Sequence, residues 1–272
     1  MSFTEHQVNG ILYHTADGLS AAGGVCHAFS TRRGGVSRAP MDSLNFFGST
    51  GDTRENLLEN YRRLGAAVGF DAARAVGCRQ VHGKRVYVAR AEDAGRILSA
   101  DRPCEADALI TDVPGLPLVV FSADCCTILL SDPVTRCVGA VHAGWRGTAL
   151  GVVSEAVRAM GEVYGARAGD LHAALGPSIG PCCFETDADV PEAMYAGFGA
   201  EAARFITRTG NKYHVDNKGI NRAWLLRAGL LPDRIEVHPD CSMCRPDRYW
   251  SHRAMGQRRG GQIAVILRED AP

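Results

Sequence analysis

The chain of 272 residues lacks any apolar run near the ~18 residues that a membrane-spanning helix needs, which argues against a span. Its start, MSFTEHQVNG, lacks the basic residues and apolar stretch of an export signal. It lacks net charge, with 30 Lys and Arg against 30 Asp and Glu, so no global field exists to hold nucleic acid or an anionic membrane. It also lacks low-complexity tracts, a fixed-period repeat and a long Pro/Ser linker. The expectation is a cytoplasmic protein with one domain over residues 1–272, a monomer or small homo-oligomer, long enough to need no covalent staples.

Cysteine, by contrast, is abundant, with ten residues, four of them in the pairs Cys125-Cys126 and Cys182-Cys183. Without an export signal a disulfide framework is not expected, and metal binding or thiol chemistry gains weight. Cys26, Cys78, Cys104 and Cys137 read as reduced core residues.

Strand-like runs rich in Val, Ile and aromatics fall at 25–31, 85–90, 118–122, 128–130, 137–142, 172–175, 204–207, 234–238 and 262–267. Helical periodicity appears at 53–68, 148–164, 189–195 and 217–228, the second predicted to start with Thr148 as its N-cap. Strands and helices mix irregularly, which favours a layered α+β fold over strict βα alternation.

The run from Leu118 to Gly147 holds the most chemistry. Two apolar arms flank Ser131–Arg136, where Asp132 and Pro133 suit the first two positions of a turn. A hairpin symmetric about the Pro133–Val134 bond sets Leu130 opposite Cys137 and Cys125 opposite His142. Opposed side chains lie about 4.5–5.5 Å apart at Cβ, close enough to share a tetrahedral ion. Alternation along the strand turns Cys126 to the other face, so this register selects Cys125. His82, at a break in a strand-like segment, is the best further ligand. Two histidines and a cysteine would leave one position open, as in catalytic sites, and the nitrogen and sulfur set suits zinc, with copper an alternative. A histidine beside a glycine is also commonly a solvated turn residue, and a cysteine in a buried strand is commonly core.

Several ordered motifs then match one family: Ser30–Ser37 (STRRGGVS), Asp42–Asn45 (DSLN), Gln80–Gly83 (QVHG), Ala106–Ala108 (ADA), Ala123–Cys125 (ADC), Gly139–Gly147 (GAVHAGWRG), Gly176–Glu185 (GPSIGPCCFE) and Cys241-x-x-Cys244 with Ser251-His252-Arg253. The series resembles the YfiH family, also called laccase-domain or multicopper polyphenol oxidase-like proteins, from about Val25 to Leu267. The resemblance implies an α-β-β-α sandwich of the CNF1/YfiH-like fold and a zinc site on His82, Cys125 and His142. It implies a purine nucleoside phosphorylase acting on adenosine, inosine and guanosine with phosphate, with methylthioadenosine phosphorylase and adenosine deaminase activities. The chain departs from the family pattern at Thr127, at Phe46-Phe47 and at Tyr61.

Phosphorolysis must hold an anion. Arg32, and less so Arg33, beside a Gly34-Gly35 anion nest, and Arg146, placed just before a helix start, are the expected phosphate contacts. Asn45 is a ribose contact or a turn cap. Glu185 is an acid/base, a partner of a ligand histidine or a helix N-terminal carboxylate. Asp124 orients a ligand or ends a strand, and Trp145 and Phe46 stack on a purine or belong to the core. A shared zinc site on Cys182, Cys183, Cys241 and Cys244 is disfavoured, because adjacent cysteines strain one tetrahedron. The alternatives to the phosphorylase are a copper-dependent polyphenol oxidase, a metal-free hydrolase built on Cys125 and His142, and a binding protein with zinc as a staple.

Overall fold

Period-two alternation is nearly absent from the central strands because both of their faces are covered. In the computed structural model, which describes residues 2–98 and 104–269, two large sheets lie face to face. The first runs in the order β1 (Phe3–Val8), β2 (Ile11–Ala16), β3 (Val25–Ser30), β14 (Gln262–Arg268), β6 (Leu118–Ser122). The second runs β13 (Ile235–Val237), β9 (His172–Leu175), β7 (Cys126–Ser131), β8 (Val138–Ala143), β5 (Ala108–Thr111), β4 (Val86–Val88). A small third sheet is formed by β10 (Glu185–Thr186), β12 (Lys212–Val215) and β11 (Ile206–Thr209).

Between the large sheets, Phe29, Leu118, Val120 and Ile266 pack against Leu109, Leu129, Val138 and Ala140. The outer face of the second sheet carries Ile128, Leu130 and Val141 onto Val153, Ala156 and Met160 of α4 (Val152–Tyr164), with Leu225 of α6 (Asn217–Arg227) beside them. The outer face of the first sheet carries Val119, Ile263 and Val265 onto Tyr61 and Leu64 of α2 (Arg54–Val68). The result is the expected α-β-β-α sandwich. Burying each large apolar side chain contributes roughly 1.5–3 kcal/mol. Among the described residues, no helix is long and apolar enough to cross a membrane.

Local signals explain most boundaries. The Thr53 hydroxyl accepts from Asn56 N and starts α2, and Gly69 ends it in the left-handed conformation at φ 100°. Asn9-Gly10, both at positive φ, close the β1–β2 hairpin, with Val8 paired to Ile11. That Asn-Gly signal was available in the sequence and predicts a pair of strands absent from the expected set. α1 (Asp17–Ala22) and β5 are also additions to the expected elements, and the strand expected at 204–207 lies at Ile206–Thr209.

The helix expected from Thr148 to Tyr164 is two helices. α3 (Trp145–Ala149) contains Thr148, and Gly151, at φ 73°, separates it from α4. Trp224 of α6 explains the break: its Nε1 donates to Thr148 O at 2.8 Å, and a Cβ on Gly151 would meet its ring at 3.3 Å. α5 (Asp189–Phe198) covers α3 and, with α6, encloses a smaller core around Met194 and Ile220.

Candidate metal centre

His82, Cys125 and His142 offer three ligand atoms that all lie within 4.8 Å of one another. His142 comes from β8, Cys125 from the bend that leads into β7, and His82 from the Gln80–Gly83 turn. The two imidazole rings meet edge to face with centroids 4.8 Å apart.

The β7–β8 hairpin differs from its predicted register. Thr127, not Cys125, faces His142, and Leu130 faces Gly139. A four-residue connection, Pro133–Arg136, replaces the two-residue turn, with Arg136 left-handed at φ 61° and its N–H bonded to Asp132 O. The register moves by two residues in the opposed partner, so the side-chain alternation survives. Cys125 becomes the diagonal neighbour of His142 on the same face, within reach of it. Cys126 stays on the other face in the α4 core, where burial pushes its thiol up to about 12.

Asp107, fully buried before β5, ties the group together. Its Oδ1 lies 2.8 Å from His142 Nδ1, leaving the other ring nitrogen for an ion. The same carboxylate accepts the N–H groups of Val81, His82 and Gly83 at 3.2, 3.0 and 2.7 Å, which fixes a turn where His82 adopts φ 59°. One carboxylate therefore orients one histidine by its ring and the other by its backbone. Burial acts to lower the His142 pKa, but the charge on Cys125 and the Asp107 hydrogen bond outweigh it and raise it to about 9. His82 is lowered, by burial first and then by His142.

Two further contacts set the spacing. Asp124, in the left-handed region at φ 90°, accepts from Ser242 Oγ at 2.6 Å and from Arg253 N at 2.7 Å, so the bend carrying Cys125 is anchored to the C-terminal segment. Gly144 follows β8, and a Cβ there would collide with His82 Nδ1 and lie 3.3 Å from Cys125 Sγ. Gly144 thus lets His82 and Cys125 close up against the backbone, and two imidazole nitrogens with one thiol are a donor set that fits a small ion.

The group forms part of the wall of a cavity of about 850 Å³. Phe47, Phe121, Trp145 and Phe184 supply aromatic surface, and Arg79, Arg146, Arg253 and Arg259 supply positive charge, against which Asp124 is the one carboxylate among the described lining residues. Arg79 is paired with Glu105. Arg146 lies inside α3, not before a helix, with its guanidinium 4.1 Å over the Trp145 ring. Phe46 also borders the cavity.

Three expected site residues, Arg32, Asn45 and Glu185, do not line this cavity. Arg32 stacks on Trp250 and donates to Asp42 O and Pro246 O, both at 2.8 Å, so its fork is used within the fold. Asn45 is fully buried and caps a turn, donating to Asp52 Oδ2 and accepting from Phe47 N and Gly261 N, each at 2.9 Å. Glu185 is an exposed strand residue opposite His214, not a helix N-terminal carboxylate. The Gly34-Gly35 nest is filled by Ser43, whose Oγ accepts from both N–H groups, and Arg33 reaches Asp247. In their place stand Arg253 and Arg259 together with Gln257, from a segment where the sequence offered only Ser251-His252-Arg253 as a signal.

A second sulfur-rich group also forms, contrary to the strain expected from adjacent cysteines. Cys182, Cys183, Cys241 and Cys244 place their sulfurs within 4.8 Å of one another.

Fold and site together define a class: a layered α+β protein with a group of two histidines and a cysteine on the wall of a large, cationic and aromatic cavity. The chain belongs to the YfiH family, since the family model described as multi-copper polyphenol oxidoreductase laccase matches residues 26–269. A mouse protein named purine nucleoside phosphorylase LACC1 is 33% identical over 251 residues, 89% of this chain and 56% of the relative. This chain thus spans about half the length of that relative. YlmD of Geobacillus stearothermophilus, also named a purine nucleoside phosphorylase, is 33% identical over 250 residues, 91% of each chain. Its crystal structure superposes with a TM-score of 0.91 at 32% identity, covering 98% of this chain and 99% of that chain. The crystal structure of a Bacillus licheniformis hypothetical protein YfiH gives a TM-score of 0.91 at 28% identity with the same coverage.

Proposed function

We propose that this chain is a zinc-dependent purine nucleoside phosphorylase that converts adenosine, inosine and guanosine to ribose 1-phosphate and free base, with methylthioadenosine phosphorolysis and adenosine deamination as further activities of the same cavity. One observation carries the reading: His82, Cys125 and His142 converge on the wall of a cavity whose other walls are aromatic and cationic. The names of the mouse and Geobacillus relatives support it.

His82, Cys125 and His142 hold the zinc, which when bound supplies a Lewis acid and can lower the pKa of a coordinated water to about 7. Asp107 keeps both histidines aimed. Arg146, Arg253 and Arg259 bind phosphate and oppose its charge while it approaches the anomeric carbon, where an oxocarbenium-like transition state is expected. Phe47, Phe121 and Phe184 give the purine an apolar surface that excludes water, and water exclusion favours transfer to phosphate over hydrolysis.

Incubation with adenosine and inorganic phosphate tests this. Ribose 1-phosphate should form only with phosphate present, in an amount equal to adenine plus hypoxanthine, and should be lost on chelation and restored by zinc; inosine formed alongside reads the deamination. Free base released without phosphate contradicts the phosphorylase reading.

The metal-free hydrolase has one observation in its favour: Cys125, His142 and Asp107 stand as nucleophile, base and orienting carboxylate. Turnover untouched by metal removal would select it. A copper-dependent oxidation of phenols would instead consume oxygen and track bound copper.

A further inference from the structure

The four sulfurs of Cys182, Cys183, Cys241 and Cys244 form a group apart from the His82 cavity, with Cys182 and Cys244 exposed and Cys241 buried. Cys244 Sγ lies 3.7 Å from Cys182 Sγ and 3.4 Å from Cys183 Sγ. Sulfurs bound at about 2.3 Å to one tetrahedral zinc stand about 3.8 Å apart, so these separations approach the edge of such a tetrahedron. A disulfide, at about 2 Å, joins two sulfurs and gives no reason for four to gather.

The backbone is shaped around the same point. The Pro181–Cys183 turn is closed by Cys183 N and Phe184 N donating to Gly180 O at 3.0 and 2.9 Å, and it carries both adjacent thiols toward the second loop. That loop, Cys241-x-x-Cys244, closes with Arg245 N on Cys241 O at 3.2 Å. Gly180 N donates to Cys241 Sγ at 3.2 Å, a contact that favours a thiolate. A Cβ on Gly180 would meet both Cys182 Sγ and Cys241 Cβ at 3.4 Å, so the loops approach closely there. Ser242 N on Ser178 O, at 3.1 Å, continues the contact between them.

We propose that Cys182, Cys183, Cys241 and Cys244 bind a structural zinc ion as four thiolates. With four protein ligands the site is closed, and an S4 tetrahedron favours zinc. The ion staples two loops behind the cavity. The first loop carries Ile179 and Phe184 into the cavity wall, and the second carries Ser242 to Asp124, next to Cys125. The staple therefore supports the bend that presents Cys125.

Zinc per chain, measured by plasma mass spectrometry on the full-length protein purified without chelator, tests the assignment. The wild type should hold one zinc ion more than Cys244→Ser or Cys182→Ser. Cys125→Ala, which damages the other group, should keep the tetrad's ion. Cobalt(II) loaded into Cys125→Ala should show intense thiolate charge-transfer absorption, lost when Cys244→Ser is added, and this reading holds even if a variant is less stable. Equal zinc in wild type and Cys244→Ser, an absence of thiolate absorption in Cys125→Ala, iron in place of zinc, or a Cys183–Cys244 disulfide in protein purified without oxidant would each overturn it. Loss of the His82 group's function would leave the tetrad's stoichiometry unchanged, so the two metal readings fail separately.

Discussion

Gly144 has no room for a side chain. A Cβ there would displace the His82 ring and crowd Cys125, so Gly144→Ala should lose most of the metal of the His82 group while melting close to the wild type; metal content and circular dichroism check this. Asp107 is more demanding, since it serves His142 and three backbone N–H groups. Asp107→Asn keeps the shape but turns one acceptor into a donor, and zinc affinity should fall about 10–100-fold in a competition titration with a chelating dye. A fall of less than twofold would remove Asp107 from the site. At this scale the convergence of His82, Cys125 and His142 was legible because few side-chain types can share an ion and the motifs that carry them are short. The places of Arg32 and Glu185 were not, because an arginine that binds phosphate and one that binds carbonyls have the same letter, whereas Asn45 takes the turn-cap alternative. The carbonyl at Pro246 that occupies Arg32 lies 214 positions further along the chain.

The hairpin shows what a strand pattern can and cannot fix. Alternation is set by covalent geometry, so the separation of Cys125 from Cys126 follows from the sequence. Register is set by the turn, and the turn here depends on Arg136 in a left-handed conformation that its residue type does not announce. The break between α3 and α4 has a similar origin, since the indole that enforces it belongs to α6. By contrast α2 is written locally, from Thr53 through Leu57, Tyr61 and Leu64 to Gly69. Thr53→Ala removes a cap and should cost about 1 kcal/mol in urea unfolding with turnover unchanged. A loss of activity at full stability would mean that α2 takes part in the site.

The layered α+β architecture was legible from the irregular mixing of strands and helices, because two sheets covered on both faces leave apolar runs on every central strand. The molecule also buries His14, His27 and His238, none of which lines the cavity. Burial holds His27 down to about 4 and, together with His14, also lowers His238, and His27 Nε2 accepts the Ala16 N–H, a bond that protonation would break. Unfolded, both take up a proton near pH 6.5. Below that pH the unfolded chain binds more protons, so stability present above 6.5 is lost as the pH falls toward 4, with His27 alone accounting for about 3 kcal/mol. Urea unfolding at stepped pH checks this, and His27→Gln should flatten the curve; an unchanged slope would exclude His27 as a cause. His82, Cys125 and His142 should close on one ion at the cavity wall. Anomalous diffraction at the zinc edge from crystals grown without chelator tests it most directly. A peak should lie about 2.0–2.1 Å from one nitrogen of each imidazole and about 2.3 Å from Cys125 Sγ. Density at the cysteine tetrad with none among those three side chains would contradict it.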